Sequence, residues 1–198
     1  MSADYASLLI DAGEYSGRSD IAQHFDRFLR FAEAKFNRTL RVSDMETEAT
    51  VSLIDGDGNL PTDFLEAREV LMAPRYPLRA MSLQLLTSRY GSFGGQPKGY
   101  SVIGNRLSAR PTWTGDLALT YYASIPALTI VNPTNWLLTK APDVYLYAVV
   151  EEIATWANDM AKAATAQGQR IVAMSGLSLQ DERARWGNAQ VGLEWPTP

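Results

Sequence analysis

The stretch EATVSLIDGDGNLPTDFLEAREVLM, residues 48–72, decides the fold class. In its first six residues Ala49, Val51 and Leu53 alternate with Glu48, Thr50 and Ser52, the period of a half-buried strand. Asp55-Gly56-Asp57-Gly58-Asn59 is turn chemistry, because Gly and Asn accept positive φ. Phe64–Met72 reads as the next strand, stopped by Ala73-Pro74-Arg75-Tyr76. On both sides of this region the apolar period is helical, which makes the chain α+β.

Toward the N-terminus, Ile21, Phe25, Phe28, Leu29, Ala32 and Phe36 recur at spacings of three and four, one apolar helix face. Asp20 stands where an N-cap belongs and Gln23 follows three residues later, a capping-box pattern. A shorter helix over Tyr5–Tyr15 precedes it, joined through Gly17-Arg18-Ser19, so the chain begins with a helical hairpin.

Toward the C-terminus, Leu78–Tyr90 reads as a short helix and Gly91–Gly99, with four glycines and a proline, as a loop. Three strands follow, Tyr100–Ile103, Arg106–Arg110 and Leu117–Ala123. Gly104-Asn105 supplies the first hairpin turn and Thr114-Gly115-Asp116 the second. After Pro126, Asn132-Pro133 and Asn135 the helical period returns. Pro142 suits a first helical turn and Asp143 favours the same end of the helix dipole. Leu146, Val149, Val150, Ile153, Trp156, Ala157 and Met160 form a wide apolar stripe. A last helix runs over about Ala163–Trp186, where Gly168 and Gly176 each cost about 1 kcal/mol of helix propensity against Ala. The expected organisation is an N-terminal helical hairpin (1–45), an inserted small antiparallel β-sheet or hairpin region (46–125), C-terminal helices that pack on the first pair (126–187) and an extended C-terminal arm (188–198). Together the two helical pairs predict a bundle of about four helices.

Composition narrows the function. The chain of 198 residues is 46% hydrophobic and 20% charged, with a net charge of −4, which is the profile of a folded soluble protein. No apolar run reaches membrane-spanning length, and the N-terminal residues lack the basic and apolar regions of a signal peptide. With no cysteine there is no disulfide, thiolate metal site or cysteine nucleophile. A mildly acidic chain without a basic block argues against a nucleic-acid binder. The only histidine, His24, reads as a helix-surface residue rather than a base, and no GxSxG elbow, phosphate loop or dinucleotide motif accompanies it. Glu151 and Glu152 are adjacent on one helix and point about 100° apart, so they do not converge as an acid–base pair. Asp55, Asp57, Asn59, Asp63 and Glu66 have the spacing of a calcium loop. Leu60 replaces the glycine that loop needs, and the flanks are strands, so a plain Asp-Gly turn is the preferred reading. The expectation is therefore no catalytic, cofactor or metal residue. Tyr121, Tyr122, Tyr145, Tyr147 and Trp156 suit core and interface anchoring better than base or sugar stacking.

The segment from Leu60 to Glu152 carries a pattern: Leu60-Pro61-x-Asp63-Phe64 before a strand, Pro97-x-x-Tyr100 before a hairpin, and Gly104, Leu107 and Pro111 through it. Tyr122 and Pro126-x-Leu128 follow, then Asn135-Trp136-Leu137-Leu138, leading into Pro142-Asp143-x-Tyr145-Leu146-Tyr147. In this order the motifs resemble the head-to-tail adaptor (connector) proteins of tailed bacteriophages, the short-tailed type in particular. The resemblance implies a structural virion protein with no enzymatic activity or cofactor. Such adaptors form a ring, typically of twelve copies, beneath the portal at the neck of the particle. They extend the DNA channel and offer the surface for the next tail or nozzle protein, while DNA passes without sequence-specific binding and no membrane is involved. The protein would be made in the host cytoplasm. The family's C-terminal arm commonly reaches the portal, which makes Trp186, Val191, Leu193 and Trp195 the portal-docking candidates here. A second reading is an aromatic-rich carbohydrate- or peptide-binding tail module, stabilised by calcium at the Asp55 turn. A third, an unrecognised hydrolase using His24 and Asp63, has little support in the residues.

Overall fold

The computed structural model describes residues 3–73 and 76–186. They form six α-helices and two small sheets, divided between two compact units: Met1–Asp44 with Ile125–Pro198, and Met45–Ser124. Val191, Leu193 and Trp195 lie outside the described residues.

The first unit is helical: α1 (Tyr5–Ser16), α2 (Phe25–Thr39), α4 (Trp136–Lys140), α5 (Pro142–Trp156) and α6 (Met160–Trp186). Helix α1 starts with a capping box in which Asp4 accepts from the Ser7 N–H and Ser7 from the Asp4 N–H, and it stops at Gly17, whose φ of 71° is left-handed. The capping box expected at Asp20 and Gln23 does not form. Asp20 is bound by Arg18 at 2.5 and 2.8 Å, and a 3₁₀ turn over Ala22–His24 leads into α2 instead. The apolar face read for α2 is the one buried: Phe25, Phe28, Leu29, Ala32 and Phe36 have almost no exposure. Asn135 caps α4, an element the sequence period did not separate, and Pro142 opens α5 as expected. Helix α5 packs against α1, α2, α4 and α6. Val144, Tyr145, Ala148, Val149 and Ile153 are fully buried there. Helix α6 passes unbroken through Gly168 and Gly176, each of which faces open space.

The second unit holds β1 (Glu46–Leu53), β2 (Asp57–Asn59), β3 (Phe64–Met72), β4 (Tyr76–Pro77), β5 (Arg79–Ala80), α3 (Leu83–Tyr90), β6 (Gly99–Ile103), β7 (Arg106–Arg110) and β8 (Gly115–Ala123). The single antiparallel region expected is in fact two four-stranded sheets, ordered β1-β8-β3-β4 and β2-β7-β6-β5, and β5 joins β6 in parallel. Two shorter readings change with it. Only Asp55 and Gly56 take positive φ, and Asp57–Asn59 pairs with β7 as a strand. The helix read over Leu78–Tyr90 begins at Leu83, because Arg79 and Ala80 pair with Gly99 and Tyr100. The two sheets share one core. Val51, Leu53, Val70, Leu117, Leu119 and Tyr121 come from the first, and Tyr100, Leu107 and Ala109 from the second. Alternation on β1 and β8 supplies five of its twelve buried residues, as the period predicts.

Gly58 fixes the close approach of β2 to β1: a Cβ there would lie 2.7 Å from the Ser52 carbonyl oxygen and 2.9 Å from the Val51 side chain. Gly58→Ala is expected to lower stability by about 1–3 kcal/mol through backbone displacement. Gly168→Ala and Gly176→Ala are each expected to raise it by up to about 1 kcal/mol. Urea midpoints of the three variants check both signs.

Candidate functional site: buried nodes and exposed faces

Five of the motif residues of the helical unit, Pro126, Leu128, Asn135, Leu138 and Tyr145, meet in one buried polar network. Asn135 Oδ1 accepts from the Leu138 N–H at 2.8 Å, and its Nδ2 donates to the Pro126 carbonyl and to Tyr145 Oη, both at 2.7 Å. Tyr145 Oη donates to Glu33 Oε1 at 3.3 Å, and the Leu128 N–H donates to the same oxygen at 2.8 Å. One turn along α2, Asn37 Oδ1 accepts from the Ile125 N–H at 2.9 Å. Segment 125–135 has no regular structure and is held by side chains, which supply partners for backbone groups that would otherwise be buried unpaired. Burial pushes the Glu33 carboxyl above its usual range, against the opposing pull of the Leu128 N–H and the Tyr145 hydroxyl. Burial and the Glu33 charge raise the Tyr145 hydroxyl well above its ordinary value. Leu137 and Leu138 are core residues, while Pro142 and Asp143 shape the start of α5. Tyr147 makes an edge contact with Tyr15 at 6.0 Å.

Two ionic nodes tie the remaining helices. Glu151, 7% exposed, receives Lys35 Nζ at 2.6 Å and Arg170 Nε at 2.7 Å, which joins α2, α5 and α6. Lys35 also pairs with Glu152. Burial alone would raise the Glu151 carboxyl, but hydrogen bonds from the two cations hold it below its usual range. Near the end of α6, Asp181 accepts from the Ser43 N–H and hydroxyl and from Arg185 Nε. These partners outweigh burial and lower its carboxyl too.

In the β unit the motif residues also work inward. Tyr121 Oη donates to Asp63 Oδ1 at 3.0 Å, the Ser124 N–H donates to the Asp63 carbonyl at 2.7 Å, and the Phe64 ring stacks on Tyr121 at 5.7 Å. Burial and the Asp63 carboxylate push the Tyr121 hydroxyl up to about 12. Pro97, Tyr100 and Leu107 are buried, and Gly104 takes the left-handed φ of 58° at the β6–β7 turn. Of the aromatic rings a sugar platform would use, Tyr121 is 4% exposed and Tyr145 fully buried, while Trp156 is 38% exposed.

No converging chemistry joins these groups. His24 lies edge-on to Phe28 and Trp156. The residues read as a calcium-loop spacing are dispersed: Asp57 faces Arg110 across 3.5 Å and Asp63 is taken by Tyr121. Among the described residues no three His, Asp or Glu side chains gather as a bound cation would need. What the surface does offer is exposed apolar area. Ile10, Phe31, Ile130, Val131, Val172, Leu179 and Trp186 are all more than half exposed in the helical unit, and Ile54 and Phe93 in the β unit. Trp186, the one portal-docking candidate among the described residues, is 69% exposed at the end of α6 beside Glu182 and Arg183. Sequence reasoning missed Glu33, Glu151 and Asp181 as buried nodes. For Glu33 a signal existed, since it sits between Leu29 and Phe36 on the apolar face of α2.

The family model described as SU10 adaptor protein matches residues 3–193. The match takes in nearly the whole chain, and the chain belongs to that family of phage adaptor proteins. None of the curated proteins matches it.

Glu33 generates a prediction with a definite sign. Its folded carboxyl binds a proton more tightly than the unfolded one, so its ionisation weakens the fold as pH rises through and above the usual Glu range. Glu33→Gln keeps an acceptor oxygen and is expected to leave stability at neutral pH unchanged or higher. Glu33→Ala leaves the Leu128 N–H and Tyr145 hydroxyl unpaired and is expected to cost about 2–4 kcal/mol. Glu151 and Asp181 act oppositely. Their lowered carboxyls contribute stability at neutral pH that is lost as pH falls below the usual carboxylate range. Urea unfolding of wild type and Glu151→Gln across about pH 3–7 is expected to show a shallower acid loss in the variant.

Proposed function

We propose that this member of the SU10 adaptor family is a structural component of the phage neck, which assembles as a dodecameric ring under the portal, extends the DNA channel and presents the attachment surface for the tail. The observation that carries the reading is the family match over residues 3–193. The geometry is compatible with it, because the motif residues build and brace the fold rather than converge on a reaction centre. A structural part must hold its shape under load, and three buried polar or ionic nodes, two of them on α5 and one joining α6 to Ser43, serve that end.

In this reading α1, α2, α5 and α6 act as a four-helix bundle centred on α5. The β unit is inserted in sequence between the two halves of the helical unit, and residues 188–198 are read as an arm. Trp186, Val191, Leu193 and Trp195 dock on the portal, and Trp186 is exposed at the end of α6. Rings of identical copies need heterologous contacts, in which one face of a subunit meets a different face of its neighbour. The mild negative charge lets DNA pass without sticking.

Electron microscopy of the full chain mixed with the portal protein of the same phage tests the reading. A single ring of adaptor copies seated on the portal is expected, and Trp195→Ala with Trp186→Ala is expected to reduce its occupancy. Portal particles that carry no adaptor density at saturating adaptor concentration would contradict it.

A further inference from the structure

Helix α6 carries a second apolar stripe on the side it does not bury. Its packed face is Ala163, Ala166, Arg170, Met174 and Leu177. At about 100° per residue the opposite side holds Thr165, Val172, Leu179 and Trp186, spaced by sevens, with Gly168 and Gly176 between them. Val172 is 71% exposed, Leu179 54% and Trp186 69%. Over residues 163–180 the only charge is Arg170, and that side chain is buried on Glu151. A solvent-facing helix side ordinarily carries charged residues, so an uncharged apolar one of this length marks a contact face. One end of the stripe opens into a groove of about 550 Å³ between α5 and α6, with Tyr147, Thr165, Gly168 and Val172 in its walls and Asp143 as its one charged lining residue. A Cβ on Gly168 would meet nothing within 4 Å, so the groove is open there.

At the other end of the stripe the chain continues from Trp186 into GNAQVGLEWPTP, which lies outside the described residues. In it Val191, Leu193 and Trp195 alternate with Gly192 and Glu194, the period that puts three apolar side chains on one side of an extended segment. We infer that this segment folds back along α6 of its own chain, with Val191 against Leu179 and Trp195 in the groove at Gly168.

The lengths agree. Leu179 and Gly168 are about 16 Å apart along the helix axis, and Val191 and Trp195 are about 13 Å apart in an extended segment. The return from Trp186 to Leu179 is about 10 Å, within reach of residues 187–191, which span up to about 17 Å. Gly187 accepts the left-handed φ with which a chain commonly leaves a helix. The chemistry agrees as well: the uncharged stripe receives the apolar side of the segment, and Glu194 stays on the side toward water. Tethering favours the segment's own chain as its seat, because a short linker gives a local concentration of about millimolar, above that of a second copy at micromolar. The seat goes beyond the portal-docking reading of the arm and makes α6 and the portal alternative places for Val191, Leu193 and Trp195.

The cysteine-free chain allows a direct test. Thr165 lines the groove and Thr197 follows Trp195 by two residues, so Thr165→Cys with Thr197→Cys removes none of the proposed apolar contacts. The full chain with both substitutions, checked for wild-type circular dichroism, is oxidised with glutathione disulfide at micromolar concentration, and the initial rate of the intrachain disulfide is followed by mass spectrometry. Adding Trp195→Ala, or Val172→Glu on the exposed stripe, is expected to slow that rate about tenfold. Equal rates in all three chains would overturn the inference, because a freely ranging segment needs neither anchor nor stripe. Disulfides formed mainly between chains would overturn it by making a second copy the seat, and absence of any disulfide would overturn it outright. Portal loading separates this seat from the neck reading. The oxidised chain is expected to load on portal protein about tenfold less than the reduced one. Equal loading, with the rates as expected, would leave the α6 seat standing and remove residues 188–198 from the portal contact. Failure of the reduced chain to load, with the rates as expected, would support the seat and count against the neck reading alone.

Discussion

Glu151 lies buried in α5 between Lys35 of α2 and Arg170 of α6, and the arrangement of the helical unit depends on that match. A carboxylate taken out of water loses several kcal/mol of hydration, which is recovered only if its partners are close and well aimed. Here two cations at 2.6 and 2.7 Å do so, and they come from helices far apart in sequence. Replacing all three by apolar residues need not weaken the protein, but removing one leaves a buried charge unpaired. The node therefore specifies which helices surround α5, and in what register, more than it adds stability. The Asn135–Tyr145–Glu33 network acts on the same helix from the other direction by pinning segment 125–135 to α2 and α5.

This arrangement explains why some of the fold was legible in the sequence and some was not. Phe25, Phe28, Leu29, Ala32 and Phe36 are buried for the reason their spacing gives, and the alternation in β1 and β8 is the alternation of the core. The Asp20–Gln23 pattern misled because a local competitor, the Arg18 guanidinium two residues away, took the carboxylate first. The second sheet was missed because its edge strands are only two or three residues long, shorter than any period can register, and they exist through pairing with distant β6 and β7. The ionic nodes are tertiary facts: nothing near Glu151 in sequence announces Arg170 or Lys35. Gly168 and Gly176 weaken helix propensity, yet α6 runs through them because its packing against α5 supplies what propensity lacks.

The motif residues that carry the family resemblance prove to be the ones that make the fold. Asp63 accepts from Tyr121, Phe64 stacks on the same ring, Asn135 bonds to Tyr145, and Tyr100 packs in the sheet core. That is the expected logic of an assembly part, whose working chemistry is shape and surface rather than a reacting atom. The core leaves other side chains exposed, among them Ile10, Phe31 and Trp186. Phe31 and Trp186 stand on α2 and α6, two helices that the buried nodes brace.

The most direct measurement of this account is amide hydrogen exchange across the full chain, free and assembled. The account predicts that Val144–Ala154 in α5 exchange slowest in the free chain and are unchanged by assembly, with new protection confined to exposed faces. Fast exchange along α5 in the free chain, slowed only in the assembled state, would contradict it by showing that the helical core forms in the ring and not before.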